Sequence, residues 1–212
     1  MKLLSKIKGI CKTIYFNFYY LPPTRAMQFP IKVHESVIIG GMGTRRAISV
    51  NEKSSIKIGF GQSFGLGNTT YWKIGDSGTI VFDGNAIIGR GSQIIADGEI
   101  IFGQEFYCNA NCIINSGKKI TFGEKCLIGW SVEIIDGDGH KVFHSGDKTE
   151  EYKPVIIGNH VWIGSNSMVL KGASIPDNSI IAADSCTTKS FNEPNVLIVS
   201  NKVIKTDIDW ER

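Results

Sequence analysis

A histidine and two aspartates are the residues best suited to chemistry. His140 ends the run Ile134-Ile135-Asp136-Gly137-Asp138-Gly139-His140, in which each aspartate precedes a glycine. An imidazole titrates near neutral pH and therefore suits the removal of a proton from a hydroxyl group. Asp136 and Asp138 are candidates to orient that imidazole or to bind the hydroxyls of a substrate, although Asp-Gly pairs equally form turns. His144 is the alternative base.

The chain that follows His140 repeats with a period of six residues. Between Pro154 and Lys189 an aliphatic residue returns at every sixth position, at Ile157, Ile163, Val169, Ile175 and Ile181. A helix has a period of about 3.6 and an amphipathic strand a period of about 2, so neither explains the spacing. A flat chain that turns a corner every six residues forms a triangular coil, and stacked coils form a β-solenoid. The sequence therefore predicts an all-β fold, a parallel β-helix.

The coil length shows where the repeat is interrupted. Phe82, Phe102 and Phe122 are twenty residues apart, whereas the next equivalent residue, Ile157, follows after 35. About fifteen polar residues are therefore inserted, and long excursions from a regular scaffold are often functional. The predicted domains are 1–30, an amphipathic helix with a Pro-rich connector, 31–190, the β-helix with an inserted loop at 140–153, and 191–212, a tail covering the open end. Phe64-Gly65 is predicted to be another solenoid side.

The first twenty residues combine an apolar stripe with lysines. Leu3, Ile7, Ile10, Ile14 and Phe18 share one face at helical spacing. One interpretation is that this stripe packs on the solenoid or on a neighbouring subunit. The other is a basic amphipathic helix on the anionic inner face of a membrane. The scattered lysines argue against a signal peptide.

Composition limits the remaining choices. A formal charge of +3 argues against nucleic acid as the main partner. No apolar run approaches the length of about 20 residues that spans a membrane. Cys108 occupies an aliphatic position of the repeat, and Cys112 and Cys126 occupy small-residue positions, so we expect buried free thiols in a reducing, cytoplasmic compartment.

Several short segments of the C-terminal half resemble a known protein family. They are Lys153-Pro154-Val155-Ile156-Ile157-Gly158, Val161-Trp162-Ile163-Gly164-Ser165, Ile180-Ile181-Ala182-Ala183-Asp184-Ser185, Thr187-Thr188-Lys189 and Lys202-Val203-Ile204-Lys205. In order and spacing they resemble the hexapeptide-repeat acyltransferases, in the branch of maltose/galactoside and surface-polysaccharide O-acetyltransferases. The resemblance implies a left-handed β-helix, a homotrimer with active sites between subunits, and transfer of an acetyl group from acetyl-CoA to a sugar hydroxyl without a metal.

The resemblance also implies roles for individual residues. His140 matches the catalytic base, and Asn109, within Tyr107-Cys108-Asn109-Ala110-Asn111, matches a residue that contacts the acceptor. The residues that match coenzyme A contacts are Trp162, Ser165, Ala183, Thr188, Lys189, Lys202 and Lys205. This sequence departs from the family's Gly-Ala-Gly at Ala182-Ala183-Asp184, where the aspartate either repels the coenzyme's phosphate or projects outward.

Two alternatives use the same scaffold. A zinc enzyme like the γ-type carbonic anhydrases needs about three histidines at one site, but His34, His140, His144 and His160 occupy unlike positions of the repeat. A non-catalytic solenoid that binds a surface would carry identical residues along one flat face, and no such array is visible.

Overall fold

Three parallel sheets form the sides of a triangular prism. The computed structural model of the chain describes residues 2–61 and 69–211, with side chains from Lys6 onward. Phe64-Gly65 lies outside these residues. Each strand within the prism pairs with the strand one coil before and after it, as expected for a solenoid. The prediction of an all-β parallel β-helix is confirmed.

The strands of each sheet follow one another along the prism axis. In the described residues the first sheet contains β1 Ile31–Val33, β4 Ile56–Phe60, β7 Ala86–Gly89, β10 Phe106–Cys108, β13 Leu127–Ile128, β18 Trp162–Ile163, β21 Ile180–Ile181, β23 Leu197–Val199 and β24 Lys202–Lys205. The second contains β2 Ile38–Met42, β5 Tyr71–Ile74, β8 Gln93–Ala96, β11 Ile113–Ser116, β14 Glu133–Ile135, β19 Met168–Leu170 and β22 Cys186–Thr187. The third contains β3 Ile48–Val50, β6 Thr79–Phe82, β9 Glu99–Phe102, β12 Lys119–Phe122, β17 Val155–Ile157 and β20 Ser174–Ile175.

The repeated side chains fill the inside of the prism. Phe82 stacks on Phe102 with ring centroids 5.1 Å apart, and Phe102 stacks on Phe122 at 5.5 Å. The same twenty-residue spacing that marks the coils therefore becomes a column of aromatic rings. Cys108 and Cys126 are fully buried free thiols, and burial raises the pKa of the Cys126 thiol to about 12. The cysteines of the repeat act as small apolar side chains.

Three kinds of corner join the sheets, and we name each by the sheets it connects. The 1–2 corner contains residues 109–112, 129–132, 164–167 and 182–185 of successive coils, and the 3–1 corner contains 103–105, 123–126, 158–161 and 176–179. Both turn tightly through a residue with positive φ. The 2–3 corner contains 97–98, 117–118, 136–154 and 171–173. The third turn of the 2–3 corner, 136–154, contains the predicted inserted loop 140–153.

Helix α1, Lys2–Tyr20, closes the first end of the prism and is followed by the single turn α2, Pro23–Ala26. Asn17 is fully buried, donates from Nδ2 to the Ile31 carbonyl at 2.7 Å and accepts from the Ile31 N–H at 3.2 Å. Thr13 accepts from the Val33 N–H at 3.0 Å. These bonds satisfy the free edge of β1, which would otherwise expose unpaired backbone groups.

The face of α1 that packs on the prism differs from the predicted one. Phe16 and Tyr20 enter the core beside Asn17, and the Phe16 ring lies 6.1 Å from that of Trp72. The stripe formed by Ile7, Ile10, Ile14 and Phe18 points to solvent instead. The interpretation that this stripe packs on the solenoid is therefore wrong, because the edge of β1 requires hydrogen-bonding side chains that an all-apolar stripe lacks.

The last residues extend the first sheet. β23 continues it in parallel, and β24 turns back antiparallel to become its edge. Val196 and Ile198 are buried. Trp210 then folds against the 3–1 corner, where its ring stacks on His160 at 4.2 Å and its Nε1 donates to the His160 carbonyl at 3.0 Å.

Candidate active site

The insertion leaves the 2–3 corner through a paired stem. Asp138 N–H donates to the Glu151 carbonyl at 3.0 Å, and Lys153 N–H donates to the Asp136 carbonyl at 2.9 Å. Lys171 from the next turn closes the stem, since its Nζ pairs with the Asp138 carboxylate and donates to the Glu150 carbonyl at 2.8 Å. The base of the insertion is therefore attached to two successive coils.

Tyr152 holds the stem against the corner. A Cβ built on Gly117 or on Gly137 would lie 2.2 Å from the Tyr152 ring. The absence of a side chain at both positions therefore lets the Tyr152 ring cover the two turns. The charge of neighbouring Glu151, with a smaller contribution from burial, raises the pKa of the Tyr152 hydroxyl.

Beyond the stem, residues 139–149 form an exposed arm. Its outer part is the two-stranded hairpin of β15, Phe143–His144, and β16, Asp147–Lys148, joined through Ser145 and Gly146 with φ of 51° and 88°. Positive φ at both central residues suits the tight hairpin turn, whose twist matches that of the strands. The arm projects from the prism, with the Phe143 ring largely in solvent.

His140 lies where the arm leaves the stem. Its side chain is exposed, and its imidazole has no hydrogen-bond partner in the part of the chain that the structure describes. It follows Gly139, whose φ is 70° and whose surroundings are open. His144 is exposed in the hairpin, one strand further from the coil. His140 is thus the histidine closer to the rigid stem.

Asp136 is buried, whereas the sequence analysis predicted that it contacts the imidazole or the hydroxyls of a substrate. Its side chain is 0% exposed. Its carboxylate accepts from Ser116 Oγ at 2.9 Å and from the backbone N–H groups of Gly117, Lys118 and Lys119 at 2.7, 2.9 and 2.6 Å. The carboxylate cannot reach an acceptor or the imidazole, because it lies inside the prism and caps the preceding turn.

Asp138 remains at the surface but is paired. Its carboxylate is 33% exposed and forms the ion pair with Lys171 described above. Since Lys171 also binds the stem backbone, the pair fixes the start of the arm. The sequence analysis identified neither Lys171 nor Tyr152, although their positions in the repeat offered a signal. Lys171 occupies the turn that stacks on the insertion, and Tyr152 is the aromatic residue just before Lys153-Pro154.

The predicted acceptor and coenzyme residues Asn109, Ser165 and Ala183 lie on the 1–2 corner of different coils. Asn109 is half-buried, and its Nδ2 donates to the Ile128 carbonyl at 2.9 Å. Ser165 Oγ accepts from the Trp130 N–H at 3.2 Å. Ala183 is exposed, and Asp184 beside it turns the corner with a φ of 55°.

Trp130 is a further residue of this corner. Its side chain is 44% exposed, and it lies between Asn109 and Ser165 along the stack. The sequence offered a signal, because Ile128-Gly129-Trp130 occupies the same place in its coil as Ile163-Gly164-Ser165, so that a large aromatic replaces a small residue at a corner.

The remaining predicted coenzyme residues form two groups. Trp162 lies on the outer face of the first sheet, 38% exposed and 6.0 Å from the Trp210 ring. Thr188 accepts from Asn201 Nδ2 at 3.1 Å, next to Lys202. The exposed lysines of this end of the prism are Lys189, Lys202 and Lys205. Lys202 and Lys205 belong to the edge strand β24.

One chain does not bring these groups to a single place. Trp130 on the 1–2 corner and Asp136 below His140 are six residues apart along the second sheet, which is roughly 20 Å of extended chain. His140 therefore stands on one corner of the prism and Asn109, Ser165 and Ala183 on another. A site that uses both needs two copies of the chain side by side.

The histidines do not form a metal site. Among residues 2–61 and 69–211 no three His, Cys, Asp or Glu side chains are grouped to hold a metal ion. His34 bonds to Arg90 and Ser36 at the 1–2 corner, whereas His160 lies under Trp210 at the 3–1 corner.

Comparison with protein families and curated proteins gives consistent matches. Residues 154–189 match the model "Bacterial transferase hexapeptide (six repeats)". The galactoside O-acetyltransferase of Escherichia coli K12 is 40% identical over 97 residues, 45% of this chain and 47% of that protein. The polysialic acid O-acetyltransferase of Neisseria meningitidis is 38% identical over 66 residues, 30% of this chain and 31% of that protein. The matched regions thus span less than half of either relative.

Solved structures agree in fold. The polysialic-acid-specific acetyltransferase NeuO superposes with a TM-score of 0.67 over 85% of this chain and 80% of that one, at 23% identity. A hexapeptide-repeat acetyltransferase of Vibrio cholerae, crystallised with acetyl coenzyme A, superposes with a TM-score of 0.51 over 61% of this chain and 72% of that one, at 20% identity. At these identities the likeness concerns the fold, and the predicted left-handed β-helix is confirmed.

Proposed function

We propose that this chain, a member of the hexapeptide-repeat transferase family, is an O-acetyltransferase that moves the acetyl group of acetyl-CoA to a hydroxyl of a sugar or surface polysaccharide. The observation that carries the proposal is the position of His140. It is an exposed imidazole, without an internal partner, at the root of an arm that is fixed to two coils. A positioned base of this kind contributes about 10²–10⁴-fold to proton transfer.

The proposed reaction is a direct transfer. His140 takes the proton of the acceptor hydroxyl as its oxygen attacks the thioester carbonyl carbon. The C–S bond then breaks, and the imidazolium returns the proton to the departing thiolate. Backbone N–H groups are the proposed donors to the oxyanion of the tetrahedral intermediate. No covalent enzyme intermediate and no metal are needed.

A homotrimer is the proposed assembly. The separation of His140 from the 1–2 corner supports it, because Asn109 and the coenzyme residues then come from one subunit and His140 from its neighbour. The arm, in which Val142 is 44% and Phe143 62% exposed, offers apolar side chains to that neighbour.

Coenzyme A is proposed to lie along the 1–2 corner toward the last coils. Ser165 and Ala183 present backbone groups at regular spacing, which suits the extended amide arm. The ammonium groups of Lys202 and Lys205 suit the phosphates. Trp162 would approach the coenzyme from the first sheet, where it lies beside Trp210.

A cytoplasmic location is part of the proposal. It accords with the use of acetyl-CoA and with cysteines that are free thiols throughout the described residues. The relatives, a galactoside and a polysialic acid O-acetyltransferase, support saccharides as the acceptor class.

The experiment is thiol release from acetyl-CoA with a panel of saccharides, followed by mass spectrometry of each acceptor. His140→Ala should lower kcat by at least about 10²-fold, because the hydroxyl then loses its base. His144→Ala is the matched control, since it removes a second exposed imidazole from the same arm.

His144→Ala should retain most of the activity. Loss of activity in His144→Ala with normal activity in His140→Ala would transfer the role to His144. Full activity in a folded, trimeric His140→Ala variant would overturn the mechanism, and no transfer to any saccharide would overturn the acceptor class.

A further inference from the structure

The face of α1 opposite the prism is apolar and exposed. Ile7, Ile10, Ile14, Tyr15 and Phe18 are 43–58% exposed. A contiguous exposed apolar patch on a folded protein usually marks an interaction surface. We call these five residues the outer stripe. Because α1 lies across the open end of the first coil, the outer stripe faces away from the prism along its axis.

The polar face of α1 is already used by the protein. Asn17 and Thr13 bind the edge of β1, and the Lys12 ammonium donates to the carbonyls of Glu35 and Val37 at 2.6 and 2.5 Å. Burial lowers the pKa of Lys12. The helix is therefore held in one orientation by its hydrogen-bonding side chains, and the outer stripe cannot turn inward.

The charge of the chain is concentrated at the same end. The first 61 residues contain ten Lys or Arg and two Asp or Glu, a formal charge of +8, whereas residues 62–212 contain thirteen and eighteen, a formal charge of −5. Lys6 and Lys8 flank the outer stripe, and Arg45 lies beside it over the Tyr19 ring. Lys6, Lys8 and Arg45 are exposed.

From these observations we infer that the outer stripe docks on the surface of an anionic phospholipid bilayer. Apolar side chains bordered by lysines suit insertion at the headgroup boundary, with the basic groups on anionic lipids. The concentrated positive charge favours a lipid surface over a second copy of the chain, since two such ends would repel each other. In the described part of the chain, no helix has the length and apolarity to cross a bilayer. The proposed contact is peripheral, with the outer stripe at the headgroup boundary.

The test is co-sedimentation of the full chain with vesicles, without acetyl-CoA. Vesicles of equal parts phosphatidylglycerol and phosphatidylcholine should bind the chain at least about tenfold more tightly than phosphatidylcholine alone. Ile10→Asp should weaken that binding about tenfold or more, since it places a carboxylate at the lipid boundary. Lys6→Glu with Lys8→Glu should weaken binding and reduce its salt dependence.

Ile204→Asp is the matched control. Ile204 is 54% exposed on β24, at the opposite end of the prism, and Ile10 is 58% exposed. The control should bind vesicles as the wild type does. Ile10→Asp should also keep its melting temperature and its acetyl transfer to soluble saccharides, so a failure here is distinguishable from a failure of the proposed activity.

Three outcomes would overturn the inference. They are equal binding of the wild type to both vesicle types, equal binding of Ile10→Asp and wild type to the anionic vesicles, and a lower oligomeric mass of Ile10→Asp in solution without any vesicle binding by the wild type. The last result would instead identify the outer stripe as a contact between copies of the chain.

Discussion

The 1–2 and 2–3 corners turn the same chain in different ways. The 1–2 turns at 109–112, 129–132, 164–167 and 182–185 each pass through one residue with positive φ, namely Asn111, Ser131, Asn166 and Asp184 with φ of 55–64°. The 2–3 corner has two-residue turns at 97–98 and 117–118, and the backbone N–H groups of residues 117–119 donate to the buried Asp136 carboxylate of the next coil. A corner stabilised by a buried side chain can carry an insertion, because its geometry does not depend on the length of the turn that follows.

The largest difference between the corners should appear on removing that carboxylate. Asp136→Ala should lower the free energy of unfolding by about 3 kcal/mol or more, because three backbone N–H groups and Ser116 lose their acceptor. Chemical or thermal unfolding measures the loss. Asp138→Ala is the matched control, two residues away at the surface, and should cost at most about 1 kcal/mol.

If Asp136→Ala kept wild-type stability but lost most of its acetyl transfer, the structural role of the Asp136 carboxylate would be contradicted. Asp136 would then act on the imidazole or the acceptor, as the sequence first suggested, and the two corners would not differ in the way described.

A second variant tests whether the 2–3 corner fixes the arm. Gly137→Ala should displace the Tyr152 ring, since the added Cβ would lie 2.2 Å from it. The expected result is a decrease of about tenfold in acetyl transfer, because the stem no longer holds His140 in place. The change in melting temperature should be small, as Tyr152 is partly exposed.

A double variant isolates the cause. If the ring is responsible, adding Gly137→Ala to Tyr152→Ala should change the rate little beyond Tyr152→Ala alone. Additive losses would show that Gly137 acts through its own backbone and that the stem is not held by the ring.

The smallest effect concerns the 1–2 corner. Asp184 has a φ of 55° and an exposed side chain, so Asp184→Ala should lower stability by about 1 kcal/mol, whereas Asp184→Gly should not, because glycine adopts this conformation without strain. Unfolding measurements on both variants test the corner.

The same pair tests coenzyme binding. An Asp184 side chain that projects outward predicts an unchanged KM for acetyl-CoA in both variants. A lower KM in both would mean that the aspartate repels the phosphates, and would place it on the coenzyme's path.

Much of the fold follows from spacing alone. A twenty-residue coil requires the stacked column of Phe82, Phe102 and Phe122, and the 35 residues from Phe122 to Ile157 locate the insertion. Asp136 shows the limit of this reasoning. Asp-Gly at a corner is compatible with a surface contact or with a buried cap, and the choice depends on whether the turn one coil earlier presents free N–H groups.

The helix shows a similar limit. Periodicity identified an amphipathic α1, and its most apolar stripe was the natural surface to bury. The edge of β1, which follows Thr13 and Asn17 by 14 to 20 residues, needs hydrogen-bonding partners, so these two side chains face inward and the outer stripe faces solvent. Helical spacing cannot reveal what the opposing surface requires.

By itself the sequence determined the repeat, the sides of the coil, the place of the insertion and His140 at its root, because all of these are distances along one chain. The tertiary structure decided which face of α1 is inward, the burial of Asp136, and the contacts by which Lys171 and Tyr152 hold the stem of the insertion. It also decided the separation of His140 from Asn109, Ser165 and Ala183. These depend on which residues meet across neighbouring coils. Contacts between neighbouring coils provide hydrogen-bond and ion-pair partners for backbone and charged groups, and the spacing of residues along the sequence does not show which residues become partners.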